Sequence, residues 1–436
     1  MSKTSRLIVL CSAVLCSQYL CAQSRTMGIE EMFRLADENS KSIQTFRTGK
    51  EVADENLKAA KAQRLPDISA SLSGSYWGNG KLWNRDFSNA TKIEMPHWGN
   101  NFALEAQLAV YAGGAISSGI ELAELEKQLA EMDWQKNRQD IRFLLVGHYL
   151  NLYKLNNQIE VLHKNLELTD QIIANMQARL EQGTALQNDI TRYELQRETL
   201  RLQLAKVEDA CKIANHQLVI TLHLPEGTVV QPDTTLNDSR IQTLSEANWQ
   251  ELAAQNNLNL QQAETGIKIN RQREKLERSE RLPKISLMAA EHLDGPITIE
   301  VPVLDNNFNY WFVGVGVKYN ISSLFKNNRK LKAARLNVRK AQETYELAQE
   351  QTNHAVQESY VNFLTSFTDL RTQQKSVELA DENYSVTSNR YQNDLALLTD
   401  MLDASNMKFS ADMGLVNARI NVIFNYYKMK YITHTL

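Results

Sequence analysis

The chain is short of the residues that punctuate ordinary folds. It has 436 residues and only seven prolines, at 66, 96, 225, 232, 283, 296 and 302. Residues 97–224 and 303–436 contain none. Proline inside a helix costs about 3 kcal/mol, so two such stretches predict two very long helical segments. An α/β enzyme would be broken more often. Basic surplus is also missing: Lys plus Arg number 48 against 51 Asp plus Glu. Nucleic acid held through its phosphates is therefore excluded as a partner. Beyond Ala22 no run of 18 apolar residues occurs, so no transmembrane helix is expected. Hydrophobic residues still make up 43% of the chain, enough for a core and too many for disorder.

Three of the four cysteines, Cys11, Cys16 and Cys21, fall in the first 22 residues. That stretch reads as a signal peptide: Lys3 and Arg6, then an apolar run from Leu7 to Leu20, with cleavage expected between Ala22 and Gln23. Lipid attachment at Cys16 or Cys21 is the alternative, although each follows a leucine where a small residue is wanted. Cys211 is left alone, which rules out an internal disulfide framework. Its place in a helical apolar pattern marks it as a small core residue.

What the chain does have is an internal repeat. Arg64-Leu65-Pro66-Asp67-Ile68-Ser69 returns as Arg281-Leu282-Pro283-Lys284-Ile285-Ser286. A second anchor aligns residues 179–189 with 390–400. The first repeat is expected over 23–224 and the second over 246–436, with a linker at 225–245 marked by Pro225, Gly227, Pro232 and Asp233.

Each repeat carries the same two kinds of segment. Leu152, Leu155, Ile159, Leu162, Leu166, Thr169, Ile173, Met176 and Leu180 follow a 3-4-3-4 spacing, a coiled-coil seam. The seam stops at Gly183 and resumes as Ile190, Tyr193, Arg197, Leu200, Leu204, Val207, Cys211, Ala214 and Leu218. This predicts an antiparallel helical hairpin over about 115–222, its outgoing arm about 100 Å long. A second, less regular hairpin is expected over about 326–433, with its tip near Asn393-Asp394.

Strict alternation then marks strands. Ile68, Ala70, Leu72, Gly74 and Tyr76 alternate with serines 69, 71, 73 and 75. Phe102 to Val110 and Trp311 to Tyr319 alternate likewise, and 284–293 does so less cleanly. Strands are thus expected at about 67–77, 101–111, 284–293 and 310–320. One apolar face and one small or polar face over about ten residues is the pattern of an outer-membrane barrel strand. Trp77, Trp83, Trp98 and Trp311 stand at strand ends, where an aromatic girdle would lie. The bland alternative is a soluble β-hairpin in each half. Four strands cannot close a barrel, which needs about eight, and lipid does not tolerate open edges. Three copies of the chain would supply twelve, so the count predicts a trimer.

This layout resembles the TolC family of outer-membrane efflux proteins. Tyr111-Ala112-Gly113-Gly114 matches the family's aromatic-x-Gly-Gly turn from strand to helix. Phe325-Lys326-Asn327-Asn328-Arg329 keeps the aromatic and the arginine of that turn but not its glycines. Tyr391-Gln392-Asn393-Asp394 and Asp400-Met401-Leu402-Asp403-Ala404 match the family's second tip, with Asp394 in place of a glycine. The resemblance implies a mainly α protein with a membrane β-barrel portion: a trimeric channel-tunnel with four strands and two coiled-coil hairpins per protomer. It implies a cell outer membrane location in a Gram-negative bacterium, the helical tube in the periplasm. A periplasmic adaptor (membrane fusion) protein and an inner-membrane pump of RND or ABC type are the implied partners, besides outer-membrane lipid. No cofactor, no metal and no enzymatic activity are implied.

By the same resemblance, Asp400 and Asp403 fall where family members ring the periplasmic aperture with carboxylates. They are i and i+3 on a helix and share a face. Mutual repulsion in a ring should raise some of their pKa values and draw cations. The plainer reading is an acid complementing a helix N-terminus. Asp189, with Asn188 beside it, matches the acceptor of the family's tip-to-tip bonds, and Tyr391 matches a donor. The family arginine of that latch falls on Ala396 here.

Other chemistry lacks its motif. No P-loop and no His-Glu-x-x-His occurs, and the eight histidines are scattered. His216 and His223 are seven apart, whereas helical metal pairs sit at i, i+3 or i+4. Two rivals to the efflux reading stay open: an exit duct of a type I polypeptide secretion system, and a periplasmic or surface coiled-coil scaffold.

Overall fold

Alternating segments form strands and proline-free segments form helices. The computed structural model describes residues 24–233, 241, 243–299, 303–393 and 395–436. The expected signal peptide, Asp394, Pro302 and part of the 225–245 linker lie outside them. In chain order the elements are β1 Ser24–Met27, α1 Ile29–Asn39, α2 Lys41–Ala62, β2 Asp67–Tyr76, β3 Gly80–Leu82, β4 Thr91–Ile93, β5 Trp98–Tyr111, α3 Ala115–Glu181 and α4 Gln187–Leu222. There follow β6 Val229–Pro232, α5 Glu246–Asn256, α6 Leu258–Ser279, β7 Lys284–Gly295, β8 Phe308–Lys318, α7 Ser323–Gln392 and α8 Leu398–Ile432. Two compact units result, and each takes segments from both repeats: 49–131 with 262–346, and residues up to Thr48 with 132–261 and 347–436.

The first unit holds a four-stranded antiparallel sheet in the order β2-β5-β7-β8. Its register sorts the side chains. Ile68, Ala106, Ala289 and Val313 form one row, and Leu108, Leu287 and Val315 another on the same face. That face is bare: Leu72 is 80% exposed, Trp311 74% and Val315 69%. On the opposite face Ser71, Ala103, His292 and Tyr310 make a row, next to Ser69, Glu105, Ala290 and Phe312. Among the described residues β2 and β8 each have one strand neighbour, so both outer edges are open. A small hairpin, β3 with β4, lies between β2 and β5 in sequence.

Gly113 and Gly114 turn β5 into α3 with φ of +63° and +84°. Glycine is needed at 113 twice over, because a Cβ there would also lie 2.8 Å from Leu282 Cβ and from the Ser279 carbonyl. The second repeat turns differently. There α7 begins at Ser323, so Phe325 to Arg329 lie inside the helix rather than in the turn. The bend lies at 320–322, after Tyr319, and is made without glycines: the Asn320 carbonyl accepts from Ser323 N at 3.0 Å and from Ser323 Oγ at 2.6 Å.

The second unit is helical. Seam residues Leu152, Leu162, Met176, Leu200 and Leu218 are at most 2% exposed. Cys211 is half-buried and its thiol faces Asn156 Oδ1 at 3.2 Å. The core formed by Leu145, Val146, Tyr149, Leu150 and Leu222 is closed by Met27, Met32 and Phe33 from the first elements and by Ile420 and Ile423 from the last helix. A parallel two-stranded ribbon, β1 with β6, borders it. Tyr149 locks the ribbon: its hydroxyl donates to the Met27 carbonyl at 2.8 Å and accepts from Asp233 N at 2.9 Å.

One stretch of α3 gathers both ends of the described chain. Arg138 and Arg142 both reach Asp37 of α1, each at 2.6 Å. Arg142 also donates to the Leu436 carbonyl, Gln139 to the His434 carbonyl, and Asp140 accepts from the Tyr431 hydroxyl at 2.7 Å. Burial alone would raise the Asp37 carboxyl; the two guanidiniums outweigh it and hold the group below its usual value of 3.8. A depressed carboxylate stabilises the fold fully above pH 3.8, and that contribution is lost as pH falls through the folded value. Asp37→Asn should therefore cost about 1–2 kcal/mol at pH 7, less than a fully buried pair because all three side chains keep some solvent. Thermal unfolding followed from pH 7 down to the folded pKa should show the gap between wild type and variant closing in acid.

Candidate gate at the hairpin tips

Both hairpins turn by the same chemistry, at positions 211 apart in sequence. At the end of α3, Gly183 has φ of +72° and Thr184 N donates to the Arg179 carbonyl at 2.9 Å. This is the six-to-one closure that ends a helix on a left-handed residue. At the end of α7, Leu395 N donates to the Arg390 carbonyl at 2.8 Å. Asp394, the counterpart of Gly183, sits within that span and outside the described residues.

The returning helices also start alike. Leu186 N donates to Asp189 Oδ2 at 3.4 Å, and Leu397 N donates to Asp400 Oδ2 at 3.0 Å. In each case an acid in the first turn reaches back to an orphan N–H and complements the helix dipole. Asp189 is half-buried. Asn188, Asp400 and Asp403 are exposed, and Asp403 follows Asp400 by one turn. Asp400 and Asp189 thus have a structural role of their own, and Asp403 has solvent.

Beneath the tips the two hairpins share an apolar cluster. Ile173, Met176, Ile190 and Tyr193 of the first pack with Leu398 and Met401 of the second. Tyr384, Tyr391 and Leu402 cover it. Tyr193 is 1% exposed, and its hydroxyl has no hydrogen-bond partner among the described residues. Burial pushes that phenol well up.

Tyr391 meets an arginine from the other hairpin. The Arg179 guanidinium lies over the Tyr391 ring, 5.4 Å from its centroid, and donates to the Tyr391 carbonyl at 3.3 Å. Arg179 therefore bridges α3 to α7, while the Asp189 carboxylate turns to the start of its own helix. Ala396 leaves no guanidinium at its own position; Arg179 supplies one from across the cluster. The alignment of Arg179 with Arg390 was the available signal, but alignment alone does not say which of the two faces the neighbouring hairpin. Further along, Gln196 Nε2 donates to Asn406 Oδ1 at 2.9 Å, joining α4 to α8, and Lys408 pairs with Asp381. Burial raises the nearby Asp412 carboxyl, opposed by Lys408.

Among the described residues no group of three or more His, Cys, Asp or Glu is placed to hold a metal. No helix of the described chain is long and apolar enough to cross a membrane.

The family model described as outer membrane efflux protein matches residues 33–222 and 249–424, well over half of the chain. The outer membrane efflux protein BepC of Brucella suis is 21% identical over 164 residues, which are 38% of this chain and 33% of that protein. The chain thus matches about a third of the length of that relative. Among solved structures, the outer membrane protein VceC from Vibrio cholerae superposes with a TM-score of 0.78 at 16% identity, covering 93% of this chain and 95% of that one. The CmeC outer membrane channel of Campylobacter jejuni gives 0.77 at 15% identity, covering 93% and 85%. At these identities the likeness is one of fold. The chain belongs to the outer membrane efflux protein family. It is an outer membrane protein by family, and its fold is TolC-like, that of the outer membrane proteins on which it superposes.

Removing the bridge tests the local account. Arg179→Ala should loosen the tips without unfolding the protein. A lost ring contact and hydrogen bond of about 1–2 kcal/mol should speed amide exchange at 386–393 and 187–193 about tenfold. Exchange at Leu145–Leu150 should stay unchanged. Equal exchange at the tips in both proteins would remove Arg179 from this role.

Proposed function

We propose that three copies of this chain close one twelve-stranded barrel in the outer membrane and one helical tube in the periplasm. The assembly is a passive exit duct for small molecules such as drugs and toxic compounds. An inner-membrane transporter of RND or ABC type drives export, and a periplasmic adaptor joins the two. One observation carries the reading: a four-stranded sheet with a bare apolar face and two open edges. Such a face is stable against lipid, and such edges only when paired. A soluble coiled-coil scaffold would have no use for either. The relative BepC is an outer membrane efflux protein, which favours small molecules over a type I polypeptide secretion duct.

In this reading Asp400, Asp403, Asp189, Asn188 and Tyr391 form the periplasmic gate. Threefold symmetry sets six exposed carboxylates from Asp400 and Asp403 around the axis, a cation filter. Tyr391 of the second hairpin hydrogen-bonds toward Asp189 of the first when the tips draw together. Asp400 both caps α8 and lines the aperture, so its replacement loosens the tip as well as discharging it.

Planar-bilayer conductance of the purified protein tests this. Wild type should show a small, cation-preferring conductance. Asp400→Ala with Asp403→Ala should raise it severalfold and weaken the cation preference, and Tyr391→Phe should raise it without changing selectivity. A large wild-type conductance indifferent to the double variant would keep the channel and discard the gate. Absence of conductance from inserted protein would discard the channel.

A further inference from the structure

The polar face of the sheet carries a cavity that the gate does not use. It lies at the end of the sheet where β7 stops at Gly295, and it measures about 510 Å³. That is within the range of about 300–1,000 Å³ typical of small-molecule sites. Trp77, Asn101, Asp294, Phe308 and Tyr310 line it. Among the described residues Asp294 is its one charged lining residue. Asn101 Nδ2 donates to Asp294 Oδ1, which orients the carboxylate without neutralising it.

The walls are aromatic, and they continue along the sheet. Phe308 stacks on Tyr310 at 5.2 Å, and Tyr310 on His292 at 5.1 Å. His292 Nε2 lies 3.9 Å from Glu105 Oε1, one row further on. The described lysines of this face, Lys284 and Lys318, stand opposite each other in the register at the far end of β7 and β8, where Lys284 pairs with Glu280 at 2.9 Å. The cavity end of the face therefore combines the Asp294 carboxylate with ring faces, and among the described residues its lining holds no cation.

We propose that this cavity binds a small organic cation bearing an aromatic ring. A ring face attracts a cation through its quadrupole, and the attraction grows in a partly desolvated concavity with a carboxylate beside it. A divalent metal ion would demand several more oxygen ligands than one carboxylate and one amide supply. An anion would meet Asp294 and no counter-charge. All the described lining residues come from one chain, so binding does not require a closed barrel. Its place as the last contact before exit does rest on the channel reading.

Ethidium is the probe, with fluorescein as its anionic counterpart, each measured by equilibrium dialysis against full-length protein in detergent and protein-free micelles. Wild type should bind ethidium saturably and fluorescein no better than micelles do. Asp294→Asn should weaken ethidium binding about tenfold or more. Phe308→Leu should weaken it to a smaller extent, and Glu105→Gln, outside the cavity, should leave it unchanged. Circular dichroism and the mass of the assembly confirm that each variant folds. Equal ethidium affinity in wild type and a folded Asp294→Asn, or equal binding of fluorescein, would overturn the proposal. Protein that conducts but does not bind ethidium would end this proposal alone; protein that binds but does not conduct would end the channel reading alone.

Discussion

The fold depends on where the outer backbone groups of β2 and β8 find their hydrogen bonds. Inside this chain they find none among the described residues. In water an open edge beside a bare apolar face invites aggregation; in lipid each unpaired group costs several kcal/mol. Pairing with further copies of the same sheet removes both penalties at once. In the proposed closed barrel the side-chain alternation would follow, since each strand would face lipid on one side and the lumen on the other. Valines 313, 315 and 317 on one face and Gly314 and Gly316 on the other are that constraint written into β8.

The helices answer a second problem, that of ending and restarting without proline. Each tip uses a six-to-one closure and an acid that reaches back to the first free N–H. The two tips keep these features at the same offset although Gly183 faces Asp394 across the alignment. What differs is the bridge. Arg179 belongs to the first tip and is spent on the second, so the two hairpins are held by an asymmetric contact over a shared apolar cluster. The capping function of Asp189 and Asp400 means that a carboxylate there cannot be read as a gate residue from its position alone.

Much of this architecture was legible in the residues. Alternation located all four strands of the large sheet, and the absence of proline with the 3-4 seam located the hairpins, because both signals extend over ten residues or more. Shorter elements were not legible. The β1–β6 ribbon has four residues per strand, too few for alternation to register, and its partners are about two hundred residues apart. The β3–β4 hairpin is shorter still. The turn at Asn320 was misplaced because Phe325 was aligned to Tyr111, whereas the aromatic four residues before the helix start is Tyr319, as Tyr111 is four before Ala115. Arg179 was visible as part of a repeat, but its contact with Tyr391 depends on the packing of two hairpins, which no local pattern encodes. The same holds for Asp37, whose two arginine partners lie about a hundred residues away.

The central claim is that the sheet is completed by other copies of the chain. Native mass spectrometry of the protein extracted from the outer membrane in mild detergent tests it most directly. The account predicts a species of three chains that keeps its strand content on heating to the point where it dissociates. A folded, strand-containing species of one chain, stable in the same detergent, would contradict it.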